Sequence, residues 1–415
     1  MIRREKRKEK KMGRKKRFRF VCVFLVLLLL FLSGCRTTGQ ESESGSGSQQ
    51  ENKSNDNQEK DEDGNKDPDN EENDNKEPKG EDPDSEKTDS ETVLYGGGAY
   101  SDIILDRSMT EGKFAVYFFR TDANYSSYTG SAKGGDSVLL IAPDGTTLLY
   151  DCSTMINDAY IVYALQQLGI EKLDYFVNSH PHIDHFGGFS LLARYFKIGH
   201  VYMPTGEEAY NDATLQGGFS KLFIDTIKEY GIPYSTLSEG DTFQFSPDIS
   251  VKVYNPPADL DFENVDENEW SLALKFVYKN ASVLLAGDCG NNEAKLGRAT
   301  ESELVAKYGS ELQADVSKMN HHGDGDVSGN TKAGSAVWRN AVNSKIYVGM
   351  RSSVTSEKTF LSYMTTGAKA FHSALDGTVL VYTSGDGTYE VQVERERNND
   401  YYGHYDTVDG HMTVR

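Results

Sequence analysis

The sequence predicts a mixed α/β domain behind a disordered acidic tether. Three observations carry this reading. The run from Gln40 to Ser90 contains no aromatic or aliphatic residue, so it cannot bury enough apolar surface to offset the entropy of ordering it. From about residue 93 to 397, apolar runs of strand length alternate with segments of helical spacing, the pattern of sheets covered by helices. Their order is strands, helices, strands, then strand and helix again, which suggests two β/α halves rather than one doubly wound sheet. No internal repeat is evident.

The elements follow in chain order. Residues 1–20 carry twelve Lys or Arg and two Glu, and the apolar run Val21 to Leu32 follows. Twelve residues are too few for a spanning helix, which needs about 20, so residues 1–35 read as an export signal. Met12 offers an alternative start with a shorter basic region. Leu32-Ser33-Gly34-Cys35 resembles a bacterial lipobox, which implies cleavage before Cys35 and attachment of membrane lipid to its sulfur. Residues 36–92 hold twenty acids and seven bases; a chain of this kind is a spacer stretched by its own charge. The expected location is the outer face of a bacterial cell membrane, lipid-anchored, of the Gram-positive type.

In the domain, 113–119 reads as a strand, and 137–151 as a hairpin around Pro143-Asp144-Gly145. Helical spacing predicts helices at 158–170, 187–196, 219–231 and 292–309. Further strands are expected at 172–179, 198–204, four times within 242–288, and in the KIYVGM, KAFHS, GTVLVYTS and TYEVQVERE segments. Residues 398–415 remain unassigned, either disordered or covering a sheet edge. Cys152 and Cys289 each follow an Asp at a strand end, and either pair as a disulfide or stay as two buried thiols.

The chemistry concentrates in Ser179 to Gly188, SHPHIDHFGG, where three of the nine histidines fall within six residues. His180 and His182 are two apart and leave extended backbone on one side. Asp184 and His185 follow and face a second centre. Imidazole and carboxylate donors converging from rigid elements suit zinc, manganese or iron.

His180-Pro-His182-Ile-Asp184-His185 matches HxHxDH, and the chain resembles the metallo-β-lactamase fold family, most closely the hydrolase-domain branch of the competence protein ComEC. GGDS (134–137), LLAGDCG (284–290), NEWSLALKF with Asn268, ADVSKMNHHGDGD (314–326) and the closing 371–387 segment carry the likeness over roughly residues 113–393. The resemblance implies a four-layer αββα sandwich and one or two divalent ions, Zn2+ first and Mn2+ as the alternative. It implies metal ligands at His180, His182, Asp184, His185, Asp288 and His322, with Asp288 bridging two ions. His322 is expected to complete the His180/His182 centre. Asp184 and His321 are the expected catalytic groups, and Asp136 and Asp151 are candidates for holding ligand imidazoles in place. The branch carries a further histidine where this chain reads VGMRSSVTSEKTF (348–360), so the Asp184/His185 centre is expected to lack a ligand that His372, or Ser353 with water, would replace.

These readings imply an extracytoplasmic metal-dependent hydrolase, a phosphodiesterase or esterase in which metal-stabilised hydroxide attacks phosphorus or a carbonyl carbon. The alternatives are a ComEC-like nuclease and a catalytically weak metal-binding lipoprotein. Residues 93–415 carry a net charge of −17, whereas nucleic-acid binding draws on a basic surface, so nucleic acid is disfavoured as a partner against a smaller phosphodiester or ester.

Overall fold

The computed structural model describes residues 102–121, 134–212, 215–323, 325, 331–365, 367–397 and 410–415. All belong to the unit Thr92–Arg415. The export signal, Cys35 and the acidic linker lie outside the described residues. Among the described residues, no helix is long and apolar enough to cross a membrane.

Two sheets form the centre. The first joins nine strands in the order β16-β15-β14-β1-β2-β3-β4-β5-β6. These are β1 (Phe114–Phe118), β2 (Val138–Ile141), β3 (Thr147–Tyr150), β4 (Lys172–Val177), β5 (Lys197–Met203), β6 (Tyr234–Thr236), β14 (Val379–Thr383), β15 (Tyr389–Val393) and β16 (His411–Val414). The second joins seven, in the order β13-β12-β11-β10-β9-β8-β7. They are β7 (Thr242–Ser246), β8 (Ile249–Asn255), β9 (Ala273–Tyr278), β10 (Ala281–Leu285), β11 (Val316–Lys318), β12 (Ile346–Gly349) and β13 (Lys369–His372).

Each sheet has an antiparallel part and a parallel part. β3 to β6 run parallel, with α1 (Asp158–Gln167), α2 (Phe189–Tyr195) and α3 (Phe219–Glu229) in the connections. β10 to β13 run parallel, connected through α4 (Thr300–Tyr308), α5 (Ala336–Val342) and α6 (Glu357–Met364). Parallel strands need such crossovers, and the helices cover the outer faces.

The period-two alternation of β1 shows how the layers form. Phe114, Val116 and Phe118 point into the core between the sheets, against Val251, Leu274 and Phe276. Ala115, Tyr117 and Phe119 point outward, into a cluster shared with Ile161 and Leu165 of α1 and Phe223 and Ile227 of α3. Behind the second sheet, Leu304, Trp338, Phe360 and Tyr363 from α4, α5 and α6 form a third cluster. The result is the four-layer αββα sandwich.

The structure corrects or completes the sequence reading at several places. The segment 292–309 is two helices, Glu293–Leu296 and α4, because Gly297 turns left-handed at φ 85°. α5 and α6 are additional, each started by a serine cap: Ser335 accepts from Trp338 N and Ser356 from Thr359 N. The end of the unassigned tail, His411–Val414, is β16, antiparallel to β15. Cys152 and Cys289 are free thiols, buried behind opposite sheets, so the disulfide alternative does not hold.

Candidate metal centre

β4 ends at Val177 and delivers the loop 178–188 to the carboxyl ends of the strands. Asn178 Nδ2 donates to His180 O (2.9 Å), and Tyr210 OH donates to Asn178 Oδ1 (2.6 Å), which fixes the first bend. His182 starts a single helical turn, Ile183–Phe186, that carries Asp184 and His185. Two backbone bonds pin this turn: Asp136 N to Asp184 O (3.1 Å) and Cys152 N to His185 O (2.7 Å). The second requires the β3 end, and the first requires Gly135 to pass very close to the turn. Asp288 follows β10 and donates its N–H to Ser271 Oγ (2.9 Å). His321 and His322 follow β11 with φ of 49° and 64°, a left-handed pair that costs on the order of 1–3 kcal/mol each and marks functional loops. Asn320, donating to buried Glu301 Oε1 at 2.8 Å, anchors them.

The side chains meet as follows. His185 Nδ1 lies 2.8 Å from Asp151 Oδ2, and Asp151 also accepts from Ser179 N and Ser179 Oγ, each at 2.7 Å. His322 Nδ1 lies 3.0 Å from Asp136 Oδ1. With each Nδ1 facing a carboxylate, the Nε2 atoms turn to the centre. His185 Nε2 and His322 Nε2 are both 3.2 Å from Asp288 Oδ2, and His322 Nε2 is 3.3 Å from Asp184 Oδ2. Asp136, His185, Asp288 and His322 offer donor atoms within 4.8 Å of one another. Asp136 is occupied by His322 Nδ1 and Lys318, so the inward donors are Asp184, His185, Asp288 and His322.

His180 and His182 converge beside this group, with His180 Nε2 3.0 Å from His182 Nδ1. Ser179 Oγ (2.9 Å) and Ser271 Oγ (3.3 Å) flank His180 Nδ1. His182 Nε2 faces Glu267 Oε2 at 3.9 Å. The expected partition therefore reverses: His322 joins Asp184 and His185, because Asp136 orients its ring that way. His372 does not replace a ligand. Its Nδ1 accepts from Ala374 N (3.1 Å) and caps the turn Ser373–Asp376. Ser353 is exposed. His321 Nε2 is 3.8 Å from Asp288 Oδ2, and Thr331 Oγ1 is 3.5 Å from its Nδ1.

Electrostatics favour a cation here. Asp136, Asp151 and Asp288 are buried, and Asp184 is 18% exposed. Burial alone would push Asp184 and Asp288 up, but the neighbouring imidazoles outweigh it and hold both well below the usual carboxylate range. The same pairing raises His185 and His322 well above the usual histidine range despite their burial, chiefly through Asp288. Burial pushes His321 down to about 3 and leaves it neutral. His185 Nε2 is buried without a hydrogen-bonded partner. Such a polar atom, aimed at two carboxylates, is suited to a divalent ion, whose binding displaces the imidazole protons. The donor set fits a metal, and carboxylate-backed imidazoles are the usual ligand arrangement.

Sequence reasoning missed Lys318, Ser179 and Ser271. Lys318 closes the short strand Val316–Lys318 at 1% exposure.

The family profile described as Metallo-beta-lactamase superfamily matches residues 133–296. Competence protein ComA of Neisseria gonorrhoeae is 26% identical over 206 residues, which cover 49% of this chain and 24% of that protein. The chain thus spans about a quarter of that relative's length. The metallo-beta-lactamase fold protein YhfI from Bacillus subtilis aligns with a TM-score of 0.41 at 11% identity, covering 65% of this chain and 100% of that one. Zn(2+)-bound PqqB from Methylobacterium extorquens aligns with a TM-score of 0.42 at 15% identity, covering 64% and 99%. The profile match identifies residues 133–296 as a segment of the metallo-β-lactamase superfamily type, a superfamily of metal-dependent hydrolases.

Proposed function

We propose that this chain is a lipid-anchored, extracytoplasmic, metal-dependent phosphodiesterase or esterase. The observation that carries the reading is the inward donor set, with each imidazole Nδ1 backed by a buried carboxylate. Asp184, His185, Asp288 and His322 would hold one divalent ion, Zn2+ or Mn2+. His180 and His182 would contribute to a second. An ion so held stabilises negative charge on oxygen at neutral pH. Neutral His321, at the rim beside Asp288, is placed to donate a hydrogen bond to the oxygen on which charge develops. Asp288 and Asp184 supply carboxylate acceptors that orient a proton-bearing nucleophile. The net charge of residues 93–415, −17, weighs against a nucleic-acid polymer and for a smaller phosphodiester or ester.

The test uses the full chain in detergent with Zn2+ or Mn2+. Bis-p-nitrophenyl phosphate is expected to be hydrolysed, with His182→Ala losing at least ~10-fold in kcat/KM and linear DNA cut more slowly per bond. Equal turnover by His182→Ala would sink the reading; faster cleavage of DNA would favour the nuclease. A second reading, a catalytically weak metal-binding lipoprotein, draws on one fact: among the described residues, His180 enters no group of three donors. A single ion per chain and no turnover on phosphodiesters or esters would support it.

The lipid anchor rests on Leu32-Ser33-Gly34-Cys35. Cys35→Ala is expected to shift the protein from the membrane fraction to a form that lacks lipid by mass spectrometry. A lipid-modified Cys35→Ala product would count against it.

A further inference from the structure

Lys318 closes β11, in the interior of the second sheet, with its side chain fully buried. An ammonium in such a place is costly unless each of its protons is met. Its Nζ donates to Gly287 O (2.8 Å) and Met319 O (3.1 Å). It also lies 2.5 Å from Asp136 Oδ2 and 3.5 Å from Asp288 Oδ1. Asp136 and Asp288 thus each have one oxygen against the ammonium and the other toward an imidazole: Asp136 Oδ1 to His322 Nδ1 (3.0 Å), Asp288 Oδ2 to His185 and His322 Nε2 (3.2 Å each). The two carbonyls that Lys318 holds flank the segments carrying Asp288 and Asn320-His321-His322.

We propose that Lys318 is a positioning residue of the metal centre: it fixes Asp136 and Asp288 so that one oxygen of each, and the Nε2 of His322, face the ion. The proposal rests on the metal-centre reading and not on the substrate. The sign of the effect separates positioning from simple charge. Lys318 is a cation beside a cation site, so if it acted only through Coulomb repulsion its removal would tighten metal binding. If it positions the ligands, removal weakens binding, by the ~10–100-fold that outer partners of metal ligands contribute.

The experiment measures Co2+ affinity of the full chain by chelator competition, together with the visible absorption of bound Co2+, for wild type, Lys318→Met, Asp136→Asn and Lys318→Met/Asp136→Asn. Lys318→Met is expected to bind Co2+ ~10–100-fold more weakly, with a changed absorption envelope. The double variant leaves no unpaired charge at the Lys318–Asp136 contact. It is expected to recover thermal stability and to bind Co2+ more weakly than Asp136→Asn alone, which by itself frees His322; that comparison carries the test where Lys318→Met does not fold. Co2+ affinity at or above the wild-type value, with the wild-type spectrum, in Lys318→Met, or at or above the Asp136→Asn value in the double variant, would overturn the proposal. Failure of the wild type itself to bind Co2+ would instead overturn the metal-centre reading.

Discussion

Asp288→Asn is expected to abolish metal retention and hydrolysis together. Asp288 is 1% exposed, and its Oδ2 lies 3.2 Å from both His185 Nε2 and His322 Nε2. An asparagine of the same shape keeps the packing but removes the charge and presents an N–H to donors that are themselves aimed inward. The loss should exceed the ~10–100-fold that follows from disturbing an outer partner. The fold should survive. Asp288 is the largest of the charges that raise His185 and His322, and Asp151 beside His185 and Asp136 beside His322 remain as partners without it, so neither imidazole is left buried without a carboxylate. Metal content per chain by mass spectrometry, beside the hydrolysis rate, reads both effects. Wild-type metal content in Asp288→Asn would remove Asp288 from the ligand set.

Gly135→Ala is expected to destabilise the domain and empty the centre at once. A Cβ at Gly135 would sit 1.7 Å from Asp184 O and 2.6 Å from Asp184 C, where nothing but backbone can give. The neighbouring bond from Asp136 N to Asp184 O (3.1 Å) ties the same two segments. A methyl group must therefore push apart Asp136, which holds His322, and the turn that carries Asp184 and His185. Overpacking costs about 1–3 kcal/mol and occasionally more, which lowers the melting temperature by a few degrees to about 10 °C. Gly231→Ala is the control. An added Cβ there meets nothing within 4 Å, but the backbone is left-handed at φ 60°, so it carries only the conformational cost of roughly 1–2 kcal/mol. Gly231→Ala should keep its metal and Gly135→Ala should not. Equal metal affinity in the two variants would show that the close approach at Gly135 does not shape the site.

The strands and the longer helices were legible because their periodicity is local: the β2–β3 hairpin shows its turn, and α1 and α3 show helical spacing. The donors in SHPHIDHFGG were legible because residue type and spacing alone mark a candidate metal loop. α5 and α6 were not, since segments of seven and eight residues give too few turns for a clear period, though Ser335 and Ser356 mark their starts. The break at Gly297 was hidden inside an otherwise helical run. β16 has only four residues, too few to show a period of its own, and is defined by its pairing with β15.

The sequence by itself determined which side chains can bind a metal and that they sit at the ends of apolar strands, because donor chemistry and strand periodicity are properties of short segments. It also determined that residues 36–92 contain too little apolar surface to form a core. The tertiary structure decided how the donors divide. Whether His322 serves His180 and His182 or Asp184 and His185 depends on which way its ring faces, and Asp136, 186 residues away, sets that direction through Nδ1. It decided that His372 caps a turn instead of binding an ion, and that Lys318 is a buried ammonium between Asp136 and Asp288. Orientation of this kind arises from contacts between loops of the two sheets, far apart in the chain, and no local pattern encodes it.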